Sequence, residues 1–392
     1  MLRKWTAGLL AVSVLCPAAL AAEPARVEQG VVSAWTAVRS MARQSWQEMC
    51  QFVIGQIREQ SAAPDGQPVA VASLQELGEQ LQTAIAAVRQ PPVFDVSALS
   101  AQAALELDVK NLYYGVISAH PDYKYAYDLQ AERNGELLRC TIRYMPYRSG
   151  DYPEGFAGAP VGSLPELMQL ARENIARQSV DIRITNTAMT VDDMNKAFQQ
   201  VGGGYILCQL GRDGTTITFT PQNQLTHAAA AARLDEIDRL AETMLARTVT
   251  ADGSAAQKAE ALYTELTKTV VYDHRYYADR AAMPYDSTTA YGALHDRMAI
   301  CGGYAQALQV LFDKAGIPCY TVSGKANGEY HMWNIAYLDD VWQYFDPTYD
   351  RGRAAYGFYR FAVPAEQLTG YQWDQSWVER LTQAAVLAYT TQ

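Results

Sequence analysis

The sequence predicts an α+β protein, on the basis of three segments that differ in their hydrophobic spacing. Residues 22–99 have the spacing of amphipathic helices, residues 100–226 combine paired alternating runs with helices, and residues 227–392 contain a helical stripe followed by a hairpin. Residues 1–21 have the composition of a secretory signal. We therefore expect a signal peptide, a helical region, a smaller α+β domain and a C-terminal domain with these boundaries.

The first 21 residues predict export. Arg3 and Lys4 precede an apolar run over 5–16, and Ala19-Leu20-Ala21 has the A-x-A cleavage pattern. A buried N-terminal helix is the alternative interpretation. No later stretch reaches the 18 apolar residues of a membrane span. We expect a secreted or extracellular cell-surface protein with no transmembrane segment after cleavage.

Composition excludes some classes of function. The formal net charge of -10 argues against nonspecific nucleic-acid binding, which needs a basic surface. The five histidines are scattered, and neither C-x-x-C nor H-E-x-x-H occurs, so we expect no metal site and no cofactor.

The helical region is predicted to be a hairpin without visible chemistry. Apolar residues over 24–62 have helical spacing, and Pro64-Asp65-Gly66 ends that pattern. Ser73-Leu74-Gln75-Glu76 is a capping box that opens a second apolar stripe, and Pro91-Pro92 stops it.

The α+β domain is predicted from its turns. Asn134-Gly135 joins two alternating runs, and Asp213-Gly214 joins a second pair. Two helices between the pairs are expected to begin after Ser163 and Thr190. His120 precedes a proline in a turn, and we interpret it as structural.

The C-terminal domain opens with helical segments over 228–247 and 254–268. Further on, Cys301 precedes a helical apolar stripe, so its thiol is expected near a helix N-terminus, where N–H groups and the dipole favour thiolate. Gly302 and Gly303 remove side-chain bulk where a substrate carbonyl would approach, and the same N–H groups would form part of an oxyanion hole. The alternative is a buried cysteine in a tight turn.

A hairpin is predicted to bring a histidine and an aspartate together. Residues 330–338 and 341–347 alternate like strands around Asp339-Asp340. With a two-residue turn, residue i faces residue 679 - i, so His331 and Asp346 share one face as diagonal neighbours. Such neighbours are about 7–8 Å apart, within reach of a side-chain hydrogen bond.

Together these residues have the three roles of thiol catalysis. Cys301 would be the nucleophile, His331 its base and Asp346 the group that orients the base. His274 and His295 are alternative bases that lack the hairpin geometry. Trp333 either shields the His331–Asp346 pair or belongs to the core.

Five cysteines remain after signal cleavage, so at least one thiol has no internal partner. Their neighbours predict that Cys50, Cys140 and Cys208 are small buried apolar residues. A disulfide between Cys140 and Cys208 is left open.

Three motifs resemble those of the transglutaminase-like superfamily, over roughly residues 228–375. They are Cys301-Gly302-Gly303-Tyr304-Ala305, His331-Met332-Trp333-Asn334 and Phe345-Asp346-Pro347-Thr348. The resemblance implies a papain-like core, with the cysteine helix packed on an antiparallel sheet that carries His and Asp. Tyr272-Asp273 resembles a segment upstream of the nucleophile in bacterial members, which implies that Tyr272 is an oxyanion donor. The 100–226 region resembles the upstream segment of some exported bacterial members.

The resemblance implies a reaction class rather than a substrate. Members include protein cross-linkers, cysteine proteases, peptide N-glycanases and proteins that have lost activity. We expect an exported cysteine enzyme that transfers acyl groups from protein or peptide amides, by hydrolysis or transamidation, with cell-surface or cell-wall peptides among the candidate substrates. The alternative is an inactive fold that serves as a surface binding or scaffold protein. No calcium-loop motif occurs.

Overall fold

The computed structural model describes residues 66–105 and 107–390. Residues Ala70–Gln392 form one compact unit of mixed α+β structure, in agreement with the predicted fold class. The signal peptide, the helix expected over 24–62 and Cys50 lie outside the described residues. The domain boundaries at 99 and 226 remain predictions.

The helices and strands are numbered along the chain. The α-helices are α1 Leu74–Ala86, α2 Ala101–Leu105, α3 Val109–Ala119, α4 Pro146–Ser149, α5 Leu164–Glu173, α6 Val191–Phe198, α7 His227–Thr248, α8 Ala255–Thr269, α9 Arg275–Ala278, α10 Cys301–Lys314 and α11 Gln375–Thr390. The strands are β1 Val69–Ala70, β2 Phe94–Asp95, β3 Ala126–Asn134, β4 Leu137–Tyr144, β5 Ala159–Val161, β6 Ser179–Ile184, β7 Ile206–Leu210, β8 Thr216–Pro221, β9 Val271–Tyr272, β10 Met298–Ala299, β11 Cys319–Ala326, β12 Glu329–Leu338, β13 Val341–Phe345 and β14 Tyr371–Trp373.

The first predicted hairpin is confirmed, but its turn is one residue later than expected. Strands β3 and β4 are antiparallel, and Asn134 pairs with Leu137. The two turn residues are therefore Gly135 and Glu136. Gly135 has φ +60°, which is the first-position glycine of a type II′ turn.

The second predicted hairpin pairs β7 with β8, and β6 and β5 extend that sheet. Its helices begin where the caps were predicted. Ser163 Oγ accepts the N–H of Glu166 at 3.3 Å, and Thr190 Oγ1 accepts the N–H of Asp193 at 3.1 Å. Each bond satisfies a donor in the first turn that has no partner within its helix.

In the C-terminal region, helix α10 packs on the antiparallel sheet β13-β12-β11-β14. Helices α7 and α8 also contact helix α10. Its inward face is fully buried, at Tyr304, Leu308, Leu311 and Phe312. Burying a side chain such as these leucines is worth about 1.5–3 kcal/mol each, so the position of the helix is strongly determined.

The β12–β13 hairpin has the predicted register. Asn334 pairs with Phe345 and Tyr337 with Trp342, and both pairs sum to 679. The turn residues Asp339 and Asp340 have φ +53° and +64°, as a two-residue type I′ turn requires. Since a one-residue slip would reverse every side chain, this register places His331 and Asp346 on one face.

Two elements after the hairpin were not predicted. Strand β14 adds to the edge of the sheet by pairing with β11. Helix α11 then ties this sheet to α6, because the Arg380 guanidinium donates to both carboxylate oxygens of Asp193 at 2.8 and 2.9 Å. Lys196 also contacts Asp374 at 2.6 Å.

The cysteines of the described residues are all free. Cys140 and Cys208 are buried on different sheets, as small apolar residues, so the disulfide that the sequence left open is not formed. Among the helices described, none combines the length and apolar character needed to cross a bilayer. The same residues contain no cluster of three or more His, Cys, Asp or Glu suited to a metal ion.

Candidate active site

Cys301 is the first residue of helix α10 and is half-buried. The preceding residue, Ile300, provides no side-chain cap, and its N–H donates to the Ser287 carbonyl at 2.8 Å. The first N–H groups of a helix have no partner within the helix, and they carry its positive dipole end. The thiol therefore lies at the positive end of the helix, beside N–H groups that could bind a developing oxyanion.

The two glycines after Cys301 have a packing role. A Cβ on Gly303 would lie 2.6 Å from the Thr289 carbonyl oxygen, and one on Gly302 would lie 3.0 Å from the Thr288 carbonyl oxygen. The sequence predicted that these glycines clear a path for a substrate carbonyl. The structure shows a packing role, because the two glycines let the 287–289 backbone lie against the first helical turn.

His331 and Asp346 form a buried pair. His331 Nε2 lies 2.6 Å from Asp346 Oδ2, the Asp346 side chain is completely buried, and that of His331 is 16% exposed. The other carboxylate oxygen accepts the N–H of Tyr349 at 3.0 Å. The hairpin thus makes the hydrogen bond that its register predicted.

The pair is directed at the thiol. Burial alone would lower the pKa of His331, but hydrogen bonds and charge interactions with Asp346 and Cys301 outweigh burial and raise it to about 10. Because Asp346 occupies Nε2, the nitrogen left for Cys301 is Nδ1. Asn334 fixes the strand to the helix, since its Nδ2 donates to the Ala305 carbonyl at 2.8 Å.

Trp333 fits both interpretations that the sequence left open. It is fully buried, and its ring lies nearly parallel to that of His331, with 5.8 Å between centroids and 21° between planes. It is therefore a core residue that also excludes water from one side of the imidazole.

Tyr371 is a site residue that the sequence analysis missed. Its hydroxyl donates to Asp346 Oδ2 at 2.6 Å, so it shares that oxygen with His331. Its ring packs edge-on against Trp333, with centroids 5.0 Å apart. Tyr371 lies 25 residues after Asp346, on a strand without a clear sequence signal, so no spacing rule indicated it.

Tyr272 lies close to the start of the nucleophile helix. It pairs with Ala299, two residues before Cys301. Burial, a hydrogen bond with Tyr277 and the charge of Cys301 all raise its pKa. A phenol that stays neutral beside the thiol can donate a hydrogen bond, as the role of oxyanion donor requires.

Asp273 supports this side of the site and was not predicted to do so. Its carboxylate accepts two bonds from the Arg275 guanidinium, at 2.8 and 2.9 Å, and one from Ser287 Oγ at 2.7 Å. The Arg275 bonds are the main reason that its pKa falls to about 2. Since Ser287 also holds Ile300, Asp273 anchors the entry to the nucleophile helix.

The two alternative histidines have other surroundings. His295 Nδ1 contacts Asp296 at 2.7 Å, and its ring stacks on Tyr291. His274 is exposed, with its ring 5.4 Å from that of Tyr272. The acid within hydrogen-bonding distance of His331, in contrast, is fully buried.

Chemically, this arrangement contains a thiol, an imidazole that can take its proton, and a carboxylate that can hold the resulting cation. Hydrogen-bond donors also lie near the thiol, namely the neutral phenol of Tyr272 and the N–H groups of the first helical turn. These are the requirements of acyl transfer through a thioester.

Comparison with known proteins gives one family match. Residues 242–347 match the family described as Transglutaminase-like superfamily. A comparison with curated proteins found no match.

Solved structures with a partial likeness include a TGase, a putative cysteine protease from Cytophaga hutchinsonii, and the ethylmercury-bound periplasmic domain of TgpA from Pseudomonas aeruginosa. Identities are 21%, 16% and 16%, over 34%, 40% and 38% of this chain, with TM-scores of 0.27, 0.23 and 0.22. The alignments span 41%, 59% and 64% of those chains, less than two thirds of each.

The matched segment begins within helix α7 and ends just after the hairpin. It contains Cys301, His331 and Asp346, whereas Tyr371 lies beyond it. The part of this chain that matches the transglutaminase-like superfamily therefore includes all three candidate catalytic residues.

Proposed function

We propose that this protein is an exported cysteine enzyme that transfers acyl groups from protein or peptide amides. The observation that carries the proposal is the 2.6 Å contact between His331 and the buried Asp346, with the imidazole also interacting with Cys301 at the start of a helix. The signal-like residues 1–21 support export. The family match supports a cysteine-dependent reaction.

The first step forms a tetrahedral intermediate. His331 Nδ1 takes the proton of Cys301, and the thiolate attacks the amide carbonyl carbon, so that a C–S bond forms and the oxygen becomes negative. The helix N–H groups and the Tyr272 hydroxyl donate to this oxyanion. Asp346 stabilises the imidazolium and fixes the ring orientation throughout.

The second half of the reaction forms the thioester and then releases the acyl group. The imidazolium protonates the leaving nitrogen as the C–N bond breaks, and ammonia or an amine departs. A second nucleophile then attacks the thioester while His331 takes its proton, and the thiol is regenerated. Water as acceptor gives hydrolysis, and an amine gives transamidation. We favour hydrolysis, because water is the default acceptor in a site that does not exclude it.

The test uses a panel of glutamine-containing peptides with and without a fluorescent primary amine. Mass spectrometry would distinguish a cleaved backbone, deamidated glutamine and incorporated amine, and acid quenching would trap the thioester on Cys301. The matched controls are Cys301→Ser and His331→Ala. A thioester that forms in wild type and in neither variant supports the proposal.

The inactive-scaffold alternative makes the opposite prediction. It expects no acyl-enzyme with any peptide and a Cys301 thiol that alkylates at the rate of an ordinary cysteine. Either result alone has a trivial explanation, such as the wrong peptide, so both are needed to overturn the enzymatic proposal.

A further inference from the structure

The segment over 347–362, which directly follows Asp346, has an unusual distribution of charge. Its charged residues are Asp350 and the arginines 351, 353 and 360. Asp350 is fully buried, whereas Arg351 is exposed and the other two arginines are partly exposed. In a chain of formal net charge -10, the surface of this segment therefore carries only positive charge.

Each of these arginines lies over a tyrosine ring. The guanidinium carbons of Arg351, Arg353 and Arg360 are 5.0, 3.9 and 4.9 Å from the ring centroids of Tyr272, Tyr359 and Tyr349, respectively. A guanidinium that stacks through its face keeps the N–H groups at its edge available for a planar anion.

Arg351 is the arginine of this segment that lies over the Tyr272 ring. Tyr272 pairs with Ala299, two residues before Cys301. The charge of Cys301 is one of the causes that raise the pKa of Tyr272. Arg351 Nη1 donates to the Thr348 carbonyl at 2.6 Å, which fixes the side chain. Neither contact neutralises its charge, and no ion pair within the described part of the chain includes Arg351.

We propose that Arg351 and the Tyr272 ring form a carboxylate subsite beside Cys301, so that the substrate is a peptide amide with a free carboxylate close to the bond that is attacked. This inference rests on the proposed function, because the ligand is a substrate only if the protein is an enzyme. The subsite itself predicts a property of the thiol that needs no substrate.

That property is charge selectivity in alkylation. Iodoacetate and iodoacetamide react with a thiolate in the same way, because a C–S bond forms as iodide leaves. The two reagents differ in charge, since iodoacetate carries a carboxylate and iodoacetamide is neutral. The ratio of the two rate constants at Cys301 therefore reports attraction of a carboxylate at the thiol. His331 contributes to the ratio equally in wild type and in Arg351 variants, so the change between them isolates Arg351.

The experiment measures both rates by mass spectrometry in the full chain and in Arg351→Gln, Arg351→Met and Arg351→Lys. The iodoacetate to iodoacetamide ratio should fall roughly fivefold in the two neutral variants, the size expected when one exposed cation near the thiol is removed. It should be largely retained in Arg351→Lys. Arg177→Gln is the matched control, because it removes an exposed arginine from another part of the chain and should leave the ratio unchanged.

A second measurement uses the wild-type protein, so that it does not depend on how a variant folds. N-acetylalanine, which carries a carboxylate, should slow iodoacetamide labelling of Cys301, whereas the uncharged N-acetylalanine amide should not. An unchanged ratio in both neutral variants, or equal protection by the two compounds, would overturn the subsite.

Failure of the proposed function gives a different result. In that case iodoacetamide labels Cys301 no faster than a free thiol and His331→Ala has no effect. Rapid, His331-dependent labelling without a ratio change in Arg351→Gln would instead remove the subsite and leave the enzyme.

Discussion

Asp346 and Asp350 lie four residues apart and are both completely buried, yet their surroundings differ. Asp346 accepts from His331, Tyr371 and one backbone N–H group. Asp350 accepts from Tyr263, at 2.8 Å, and from two backbone N–H groups at 2.9 and 2.8 Å. Burial alone does not distinguish a functional acid from a structural one, whereas a partner that can change its protonation does.

The difference has a consequence for substitution by asparagine. His331 and the Tyr371 hydroxyl can each either donate or accept a hydrogen bond, so both can adapt to an amide at position 346. A backbone N–H group can only donate, and each oxygen of Asp350 accepts from one. We expect the first site to lose chemistry and the second to lose stability.

The largest expected effect is on reactivity in Asp346→Asn. The Tyr349 N–H holds the amide oxygen, so the amide NH₂ donates to His331 Nε2 and forces the ring proton onto Nδ1, the atom that should accept it from Cys301. The acylation rate, or the rate of iodoacetamide labelling at pH 7, should fall by about 10³-fold, as expected for a base held in the wrong tautomer. Asp350→Asn is the matched control and should keep the wild-type rate while folded.

The next effect is on stability in Asp350→Asn. Either orientation of the new amide points its NH₂ group at a backbone N–H, so a buried donor loses its acceptor. The free energy of unfolding in urea should fall by about 2–4 kcal/mol. A smaller loss than in Asp346→Asn would contradict the assignment of Asp350 as the structural acid.

The Asp346 site, unlike the Asp350 site, should also couple the stability of the protein to pH, because it contains His331. The folded-state pKa of His331 is raised from its ordinary 6.5 to about 10, so the folded protein holds this proton more tightly than the unfolded chain. The stabilisation is complete below pH 6.5 and is lost as pH rises through about 10. His331→Ala should flatten the decline in unfolding free energy over this range, and Asp350→Asn should leave it in place.

The smallest effect is expected for Tyr371→Phe, which removes one donor to Asp346 and keeps the ring against Trp333. Acylation or labelling should slow by roughly tenfold, because the carboxylate loses one charge-assisted hydrogen bond that fixes its position. The pH dependence of labelling should shift as well, which lost packing alone would not cause. An unchanged rate and pH profile would make Tyr371 a core residue only.

The sequence predicted the parts of the site that follow local rules. The period of two in the strands and the Asp339-Asp340 turn determine the register, and the register places His331 next to Asp346. The apolar stripe after Cys301 likewise predicted a helix that starts at the thiol.

The remaining parts depend on contacts between segments that are distant in the chain. Tyr371 reaches Asp346 only because β14 pairs with β11, and a three-residue strand has too little periodicity to be recognised. The packing role of Gly303 depends on the 287–289 backbone, which no local pattern places there. The shift of the β3–β4 turn by one residue reflects a choice between two turn types that both use Gly135.

The measurement that tests the Cys301–His331–Asp346 assignment most directly is the pH dependence of Cys301 alkylation by iodoacetamide, in wild type and in His331→Ala. A free thiol becomes reactive only near its ordinary pKa of about 8.5. Rapid labelling of wild type at pH 6 to 7, lost in His331→Ala, is the result expected of a thiolate–imidazolium pair. Slow labelling that rises only near pH 8.5 and is the same in both proteins would contradict the assignment.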